Sequence, residues 1–494
     1  MTLLYKSTRD AGNIVSASQA ILQGLATDGG LYVPTELPKL TLDFDELAKQ
    51  SYQEVAFTIM SAFYPDFTEE ELRHCIHSAY DEKFDDAAIA PVVKKGNDYY
   101  LELFHGSTIA FKDMALSILP YLMTTSAKKN GVDSEIVILT ATSGDTGKAA
   151  MAGFADVPGT KIIVFYPRDG VSKIQEKQMV TQKGDNTYVV AIDGNFDDAQ
   201  STVKALFNDE ALKQKLAENG KQFSSANSIN IGRLIPQVVY YVYAYAQLVK
   251  AEEIKNGDQI NVSVPTGNFG NILAGYYAKQ LGVPFNQLIC ASNPNKVLTD
   301  FFQTGVYDRN RPFFVTSSPS MDILISSNLE RLIFHLTGDD VTKTKELMDQ
   351  LSSAGSYEIT PEMKAKLADF YGDFATEEET KQAIEKVYQA ANYVIDPHTA
   401  VAAGVLEKYQ AQSDLPALVV STASPYKFPR VVVEALTNTV TDKDDFELVH
   451  ELNGLSNVAI PKAVTELNDA PIRHNRVIAA GDMKACVEDL LGVN

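Results

Sequence analysis

The distribution of apolar and polar positions divides the chain into a helical beginning, an alternating middle and a mixed end. Over residues 1–92 the pattern predicts helices at 16–25, 44–64 and 69–80. From Tyr99 onward, short apolar segments alternate with helical patterns as far as about residue 437. We therefore expect an N-terminal module at 1–92, an α/β body at 93–437 and a C-terminal extension at 438–494.

The middle region predicts a sheet whose strands have both faces buried. Its candidate strands are short, rich in Val and Ile, and mostly apolar throughout, which is typical of parallel sheets; they are 135–140, 161–166, 187–192, 259–264, 287–291 and 417–421. Helical patterns lie between them at 147–154, 173–182, 197–207, 231–250 and 271–281. This alternation predicts an α/β fold with parallel-type sheets, and the charged, helical residues 340–390 are expected to form an outer layer.

Composition narrows the classes of function. With 43 Lys and Arg against 64 Asp and Glu, the net charge of −21 argues against a nucleic-acid partner. An anionic substrate would need local donors, because the overall field repels it. Three widely spaced cysteines imply no disulfide framework, and we see neither a signal peptide nor a membrane span, so we expect a cytoplasmic protein without a membrane partner. The segment around His74, Cys75 and His77 lacks converging ligands, so no metal is predicted.

Lys112 is the first candidate for chemistry. It follows the polar turn at 104–108 and precedes an apolar helical pattern at 114–123. The positive end of a helix dipole disfavours a charged amine, and a neutral amine can attack a carbonyl group. A single lysine in this setting is more often a surface residue, so the other loops must decide between the two interpretations.

The loop after strand 259–264 predicts a site for one phosphate group. It contains Gly267, Asn268, Phe269, Gly270 and Asn271 and leads into a helix. Glycines permit positive φ angles and a close backbone approach, so several N–H groups can converge on one anion at the helix N-terminus. The spacing differs from that of dinucleotide-binding loops. An ordinary strand–helix turn is the alternative.

Three further loops offer polar groups. The loop at 141–148 carries Ser143, Asp145 and Thr146 at a helix start and resembles a nucleotide-binding P-loop only superficially, because Thr142 and Ala149 replace the required types. A plain helix cap is the alternative there. The segment at 224–233 offers Ser228, Asn230 and Arg233 to an anion, and Thr422 places a hydroxyl after the strand at 417–421; these four complete the candidate set.

Pyridoxal phosphate explains this set of groups. Its aldehyde would bond Lys112, its phosphate would lie on 267–271 and its ring nitrogen would meet Thr422. Motifs along most of the chain strengthen the interpretation, among them 5–9, 24–34, 105–113, 142–147, 227–233, 265–271, 318–322, 396–399 and 421–423. With these motifs the sequence resembles the threonine synthase family, fold-type II pyridoxal-phosphate enzymes related to the tryptophan synthase β subunit. The resemblance implies that the α/β body at 93–437 has two lobes.

The resemblance implies a function and a division of roles. It implies a lyase of threonine biosynthesis that converts O-phospho-L-homoserine and water to L-threonine and phosphate, with Lys112 as general base and acid. Ser143, Asp145 (through its backbone N–H), Thr146, Ser228, Asn230 and Arg233 are the expected substrate-binding group, undivided between carboxylate and phosphate. We expect a monomer or small homo-oligomer, and a serine or threonine dehydratase of the same fold is the alternative.

Overall fold

The structure is a computed structural model that describes residues 3–142, 144–168, 171 and 173–493. For residues 196 and 197 it describes the backbone but not the side chains. The first part of the chain is mostly helical and includes a small antiparallel sheet in the order β2-β1-β3. Its elements are β1 (Tyr5–Ser7), β2 (Ile14–Val15), α1 (Ala17–Gln23), β3 (Tyr32–Pro34), α2 (Phe44–Leu47), α3 (Tyr52–Phe63) and α4 (Glu69–Ala79). The helix predicted at 44–64 is two helices, because Ser51 and Glu54 form a capping box that begins α3.

The central region alternates strands and helices, which confirms the predicted α/β class. Its strands are β4 (Val92–Lys95), β5 (Asp98–Glu102), β6 (Glu135–Ala141), β7 (Thr160–Pro167), β8 (Thr187–Asp193), β9 (Lys221–Ser224), β10 (Ile260–Pro265), β11 (Phe285–Ser292), β12 (Val306–Asp308), β13 (Ser356–Glu358), β14 (Phe370–Phe374) and β15 (Ala417–Ser421). Its helices are α5 (Asp113–Leu116), α6 (Leu119–Lys129), α7 (Asp145–Phe154), α8 (Lys173–Val180), α9 (Phe196–Phe207), α10 (Glu210–Glu218), α11 (Ile231–Lys250), α12 (Gly270–Gln280), α13 (Val297–Thr304), α14 (Leu329–Leu336), α15 (Val341–Ala354), α16 (Pro361–Ala365), α17 (Glu377–Ala391), α18 (Pro397–Gln410) and α19 (Pro429–Thr437).

Two sheets of parallel type form the two lobes. The larger has the order β14-β11-β10-β15-β5-β4 and is parallel except for the β4–β5 pair. The smaller has the order β16-β8-β7-β6-β9 and is parallel throughout. Its edge strand β16 (Arg476–Ala479) comes from the C-terminal extension, which also contributes α20 (Asp445–Ser456), α21 (Lys462–Thr465) and α22 (Met483–Leu491). The extension therefore completes the sheet of the smaller lobe.

Helix α11 lies at the centre of the molecule. Most of its 20 residues are buried, and it packs against α3 of the N-terminal module and against α12 of the larger lobe. The sequence predicted a helical region at 340–390. The structure differs, because β14 lies within this region and forms an edge of the larger sheet. No helix in the described part of the chain is both long enough and apolar enough to cross a bilayer.

Candidate active site

Strand order brings the candidate loops together. In the larger sheet β10, β15 and β5 are neighbours and parallel, so the loops after them meet at one edge. These loops carry the 267–271 segment, Thr422 and Lys112, respectively. In the smaller sheet the neighbours β6 and β9 lead into the loop at 142–147 and the segment at 225–233. Contacts between the two groups of loops define the site.

The turn before Lys112 is folded onto Asp113. The Asp113 carboxylate accepts from the backbone N–H of Thr108 at 2.8 Å and from the Thr108 hydroxyl at 2.6 Å. A Cβ atom at Gly106 would lie 2.6 Å from the Asp113 side chain, so only glycine fits there. The Phe111 N–H donates to the carbonyl oxygen of Thr422 at 2.7 Å. Lys112 is thereby fixed beside Thr422.

The amine of Lys112 lies among groups from both lobes. Its Nζ donates to the hydroxyl of Thr146 at 2.9 Å. Burial lowers the pKa of Lys112 to about 8; nearby Asp145 opposes this shift, whereas the positive charges of Arg233 and Lys427 add to it. The sequence attributed a neutral amine to the dipole of the following helix. The structure gives a stronger cause, because α5 has only four residues and desolvation dominates.

The 267–271 loop reaches its shape in a way that corrects the sequence argument. Neither Gly267 nor Gly270 has a positive φ; the left-handed residue is Phe269, at φ 68°. Its ring is buried against Phe302 and Phe370, which offsets the backbone strain. Gly267 is required for a different reason, since a Cβ atom there would lie 2.8 Å from the carbonyl oxygen of Ser320.

The side chain of Asn271 is held from behind by α11. Its Oδ1 accepts from the hydroxyl of Tyr241 at 2.7 Å and lies 2.6 Å from that of Tyr240, which also faces Gln237. This arrangement fixes which end of the amide is the donor. The buried Nδ2 has no hydrogen-bond partner among the described residues. A buried donor without a partner is costly, so Asn271 is arranged to bind an acceptor that the protein itself does not supply.

Asp145 connects the two lobes through its side chain, whereas the sequence predicted a role for its backbone N–H. Its Oδ1 lies 3.2 Å from Nζ of Lys427 and accepts from Nε2 of Gln175 at 2.9 Å. Although burial opposes it, the positive charges of Lys427 and Lys112 lower the pKa of Asp145 to about 2. Lys427 also donates to the carbonyl oxygen of Thr108 at 2.8 Å. Ser143, predicted in the same loop, lies outside the described residues.

Arg233 is a buried cation without an anionic partner in the described part of the chain. Its Nη1 donates to the carbonyl oxygen of Ala226 at 2.9 Å, and its Nε has no partner there. Burial lowers the pKa of Arg233 to about 10. Since an unpaired buried charge is unfavourable, this guanidinium is placed to meet an anion that enters the site.

Asn230 and Ser228 differ in whether their side-chain hydrogen-bonding groups remain free to bind a ligand. The Asn230 amide donates to the carbonyl oxygens of Ile21 and Ser225, both at 3.0 Å, and its Oδ1 caps α11 by accepting from the N–H of Gly232. The structure thus gives Asn230 a structural role in place of the predicted substrate contact. The hydroxyls of Ser228 and Thr422 form no hydrogen bond within the described residues and stay available to a ligand.

The sequence analysis assigned no role to three groups near the site. Lys427 and Gln175 bind the carboxylate of Asp145, and Nε2 of His398 accepts from the N–H of Ser320 at 3.2 Å while Nδ1 donates to Asp396 at 2.8 Å. A lysine between Pro425 and Pro429 in an apolar segment was the available signal for Lys427. Gln175 had none, because helix α8 looks like any other polar helix.

Three family models match the chain along its length. A model described as "Threonine synthase N terminus" matches residues 4–80. One described as "Pyridoxal-phosphate dependent enzyme" matches residues 95–424, which include Lys112, the 267–271 loop and Thr422. A third, "Threonine synthase, C-terminal", matches residues 399–478.

Individual proteins match over most of the chain as well. The threonine synthase of Saccharomyces cerevisiae is 35% identical, with 96% of this chain and 97% of that protein covered. The human protein named threonine synthase-like 1 is 41% identical over 85% of this chain, but the chain spans only 58% of its length. Among solved structures, threonine synthase from Brucella melitensis with bound pyridoxal phosphate has a TM-score of 0.88 and 34% identity, with 99% of both chains covered.

Proposed function

The chain belongs to the threonine synthase family of pyridoxal-phosphate-dependent enzymes, and on this premise we propose that it converts O-phospho-L-homoserine and water to L-threonine and phosphate. One observation carries the proposal. A lysine amine with a lowered pKa, Lys112, lies close to Arg233, a buried cation that no described carboxylate neutralises. The first group suits carbonyl and proton chemistry, and the second suits an anionic substrate.

The residues of the site fit pyridoxal phosphate. The loop at 267–271 would hold the phosphate group, with the unpartnered Nδ2 of Asn271 as a side-chain donor. Thr422 would offer its free hydroxyl to the ring nitrogen, and Lys112 would bond the aldehyde. These assignments agree with the order of strands, since the three loops leave adjacent strands of one sheet.

The proton transfers are assigned to Lys112. The bound cofactor supplies an electron sink that stabilises negative charge on the substrate carbon atoms. With a pKa of about 8, the Nζ of Lys112 can accept a proton from Cα and return protons at neighbouring carbons near neutral pH. Thr146, at 2.9 Å from this Nζ, orients the amine between transfers.

The anionic groups of the substrate are assigned to donors from the smaller lobe and from the start of α11. The substrate carries a carboxylate and a phosphate, which the overall charge of −21 repels. Arg233, Thr146, Ser228 and the backbone N–H of Asp145 are proposed to bind these groups together, with Ser143 of the same loop. Asn230 is left out of this set because its amide is already used within the protein.

The proposed reaction is tested by incubating the purified holoenzyme with O-phospho-L-homoserine and measuring threonine and inorganic phosphate. We expect the two products in equal amounts. The variant Lys112→Ala should lose about 10²–10⁴-fold in rate or more, which is the range of general acid–base catalysis. Lys128→Ala, an exposed lysine without an ion pair in the described part of the chain, is the matched control and should keep full activity.

The dehydratase alternative predicts a different product. A serine or threonine dehydratase would release pyruvate from serine or 2-oxobutanoate from threonine, with ammonia. Formation of pyruvate from serine at a rate comparable to turnover of O-phospho-L-homoserine would contradict the proposal. Absence of any threonine from O-phospho-L-homoserine would contradict it as well.

We also propose a cytoplasmic location. All three cysteines, Cys75, Cys290 and Cys486, are free and buried. Burial raises the pKa of the Cys75 thiol to about 11 and that of Cys290 to about 12, so both stay as inert thiols. Such a cysteine set fits a reducing compartment.

A further inference from the structure

A second cavity lies on the smaller lobe, outside the site described above. Its volume is about 410 Å³, and it is lined by residues of α8, β7 and β8, by Arg168, and by residues 446, 472 and 474–477 of the C-terminal extension. Small-molecule sites typically occupy about 300–1,000 Å³. The cavity is thus large enough for a metabolite of modest size.

One side of the cavity is apolar. Tyr166, Val189 and Ala191 of the sheet form its floor, and Phe446 and Ile472 of the extension form its walls. Ile472 is 63% exposed, so the protein itself leaves this apolar surface uncovered. This side can bury the hydrocarbon part of a ligand.

The rim of the cavity is basic. Its charged lining residues are Arg168, Lys173, Lys177 and Arg476 against the single carboxylate of Glu176. Arg168 and Arg476 have partners in Asp193 and Asp489, at 3.4 Å and 2.7 Å. Lys173 and Lys177 form no ion pair within the described residues. In a protein with a net charge of −21, this local excess of cations favours an anionic ligand.

Helix α8 connects the cavity to the active site. Lys173, Glu176 and Lys177 line the cavity, whereas Gln175 of the same helix donates to Asp145 at 2.9 Å. Asp145 in turn influences the pKa of Lys112. A shift of α8 by a fraction of an ångström would therefore change the environment of the catalytic amine.

The extension is attached to the end of this helix. The N–H groups of Arg473 and His474 donate to the carbonyl oxygen of Val180, the last residue of α8, at 2.8 and 3.0 Å. Nε2 of His474 donates to the carbonyl oxygen of Gln182 at 3.0 Å. One side of the cavity is thus formed by a segment of the extension that is hydrogen-bonded to the C-terminal end of α8.

We propose that this cavity is a regulatory site for a small organic carboxylate with an apolar body, and that its occupancy acts on the active site through α8. The carboxylate lies against Lys173 and Lys177, and the apolar body lies between Tyr166, Phe446 and Ile472. Because the ligand contacts both α8 and the extension, binding fixes their relative position. By linkage, a ligand of the active site that moves α8 changes the affinity of the cavity to the same degree.

The binding experiment uses the holoenzyme and a matched pair of probes, 4-phenylbutyrate and its neutral amide, in isothermal titration calorimetry. We expect one site per chain for the carboxylate and binding of the amide weaker by about tenfold, because the cationic rim recognises charge. Ile472→Asp places a negative charge in the cavity and should weaken carboxylate binding at least about tenfold. Val440→Asp, at a side chain 84% exposed elsewhere on the extension, should leave binding unchanged.

Two further experiments test whether the cavity recognises charge and whether it is coupled to the active site. The double variant Lys173→Gln/Lys177→Gln should weaken binding of the carboxylate but not of the amide, whereas Lys128→Gln should change neither. Saturation with 4-phenylbutyrate should shift the pH midpoint of the cofactor's visible spectrum in the wild type and not in Ile472→Asp. Equal binding by the two Asp variants, or equal affinity for the two probes, would overturn the site. An unchanged spectrum at saturation would overturn the coupling.

Discussion

The amine of Lys112 illustrates how a residue proposed to be catalytic reduces the stability of its own protein. Its pKa is about 8 in the fold, against 10.5 for an ordinary lysine. Between these two values the unfolded chain binds more protons than the folded one, so stability rises with pH across this interval. Below the folded pKa the full cost is present, and above the unfolded pKa it vanishes.

We therefore predict that Lys112→Met stabilises the cofactor-free protein at pH 7 by about 2 kcal/mol, since each pKa unit corresponds to about 1.36 kcal/mol and the lost bond to Thr146 offsets part of the gain. The difference should shrink as the pH rises from about 8 to about 10.5. Urea unfolding at pH 7 and pH 10 measures it. Lys128→Met serves as control, and a stability gain that does not change with pH would contradict the argument.

A second residue-scale prediction concerns Tyr241, whose hydroxyl orients Asn271. Tyr241→Phe removes one of the two tyrosine hydroxyls at Oδ1 and leaves only that of Tyr240, which Gln237 also accepts from, so the free Nδ2 is directed less firmly at one position. We expect the affinity for pyridoxal phosphate to fall about three- to tenfold, which corresponds to the loss of one buried hydrogen bond. Titration of the cofactor-free protein with pyridoxal phosphate, followed by absorbance, gives the dissociation constant.

The matched control is Tyr243→Phe. Tyr243 lies on the same helix, but its hydroxyl has no hydrogen bond among the described residues. Its removal should leave cofactor affinity unchanged. If both variants lost affinity equally, the orientation of Asn271 by Tyr241 would be refuted.

Asn230 shows the limit of sequence reasoning at this scale. A short polar residue before a helix can cap the helix or bind an anion, because both roles need a polar side chain at the same place. The contacts of the amide with the carbonyl oxygens of Ile21, which is far away along the chain, and of the nearby Ser225 decide between the two roles. No local pattern contains that information.

At the scale of elements, apolar patterns predicted the buried segments best. Helix α11 and strand β15 begin and end at the predicted residues, because each is apolar and bounded by polar loops. The predicted helix at 114–123 is instead two helices, α5 and α6, with Pro120 in the first turn of the second. Strands β9, β14 and β16 were not predicted, since short edge strands with mixed polarity resemble loops.

The glycines of the 267–271 loop lead to a prediction about this element. Gly267→Ala would place a Cβ atom 2.8 Å from the carbonyl oxygen of Ser320, whereas Gly270→Ala would meet Asn328 at an ordinary 3.4 Å. We expect Gly267→Ala to destabilise the fold by about 1–3 kcal/mol, as overpacking does, and to weaken cofactor binding. Gly270→Ala should cost less than about 0.5 kcal/mol. Thermal unfolding with and without cofactor measures both, and equal effects would contradict this interpretation.

At the scale of the whole molecule, Arg331 joins three regions. It is fully buried, and it donates to the carbonyl oxygens of Tyr32 at 2.9 Å and Ile229 at 2.6 Å, and to the side chain of Asn328. The N–H of Asn328 donates to the carbonyl oxygen of Asn268 at 3.0 Å. The N-terminal module is thereby tied to the 267–271 loop. We keep boundaries at residues 92 and 437 as a proposal, although one apolar cluster crosses the first of them.

We predict that Arg331→Met destabilises the protein by about 3 kcal/mol or more, because it leaves three buried acceptors without a donor. Cofactor affinity should fall as well, since the 267–271 loop loses its support. Urea unfolding and cofactor titration measure the two effects. Arg309→Met, which removes a more exposed arginine, should change stability by less than about 0.5 kcal/mol. Loss of stability with unchanged cofactor affinity would refute the link between the module and the loop.

The sequence gives the order of the site loops along the chain, but it could not predict that these loops meet at one site in space. Three of the loops follow predicted strands, and that much is local, whereas β5 before Lys112 and β9 before the 225–233 segment were not predicted. That β15 lies between β10 and β5 depends on pairings over more than a hundred residues, and sequence patterns do not encode strand order. Lys427 was missed for this reason, since its partner Asp145 belongs to the other lobe.

The central position of β15 has a consequence for synthesis of the protein. A growing chain produces β5 and β10 long before β15, which is the last strand of the larger sheet to be made. Until the ribosome has passed Ser421, the larger sheet lacks its middle strand. The binding site for pyridoxal phosphate is then incomplete. Translation of the chain must thus be nearly complete before the protein can bind its coloured cofactor.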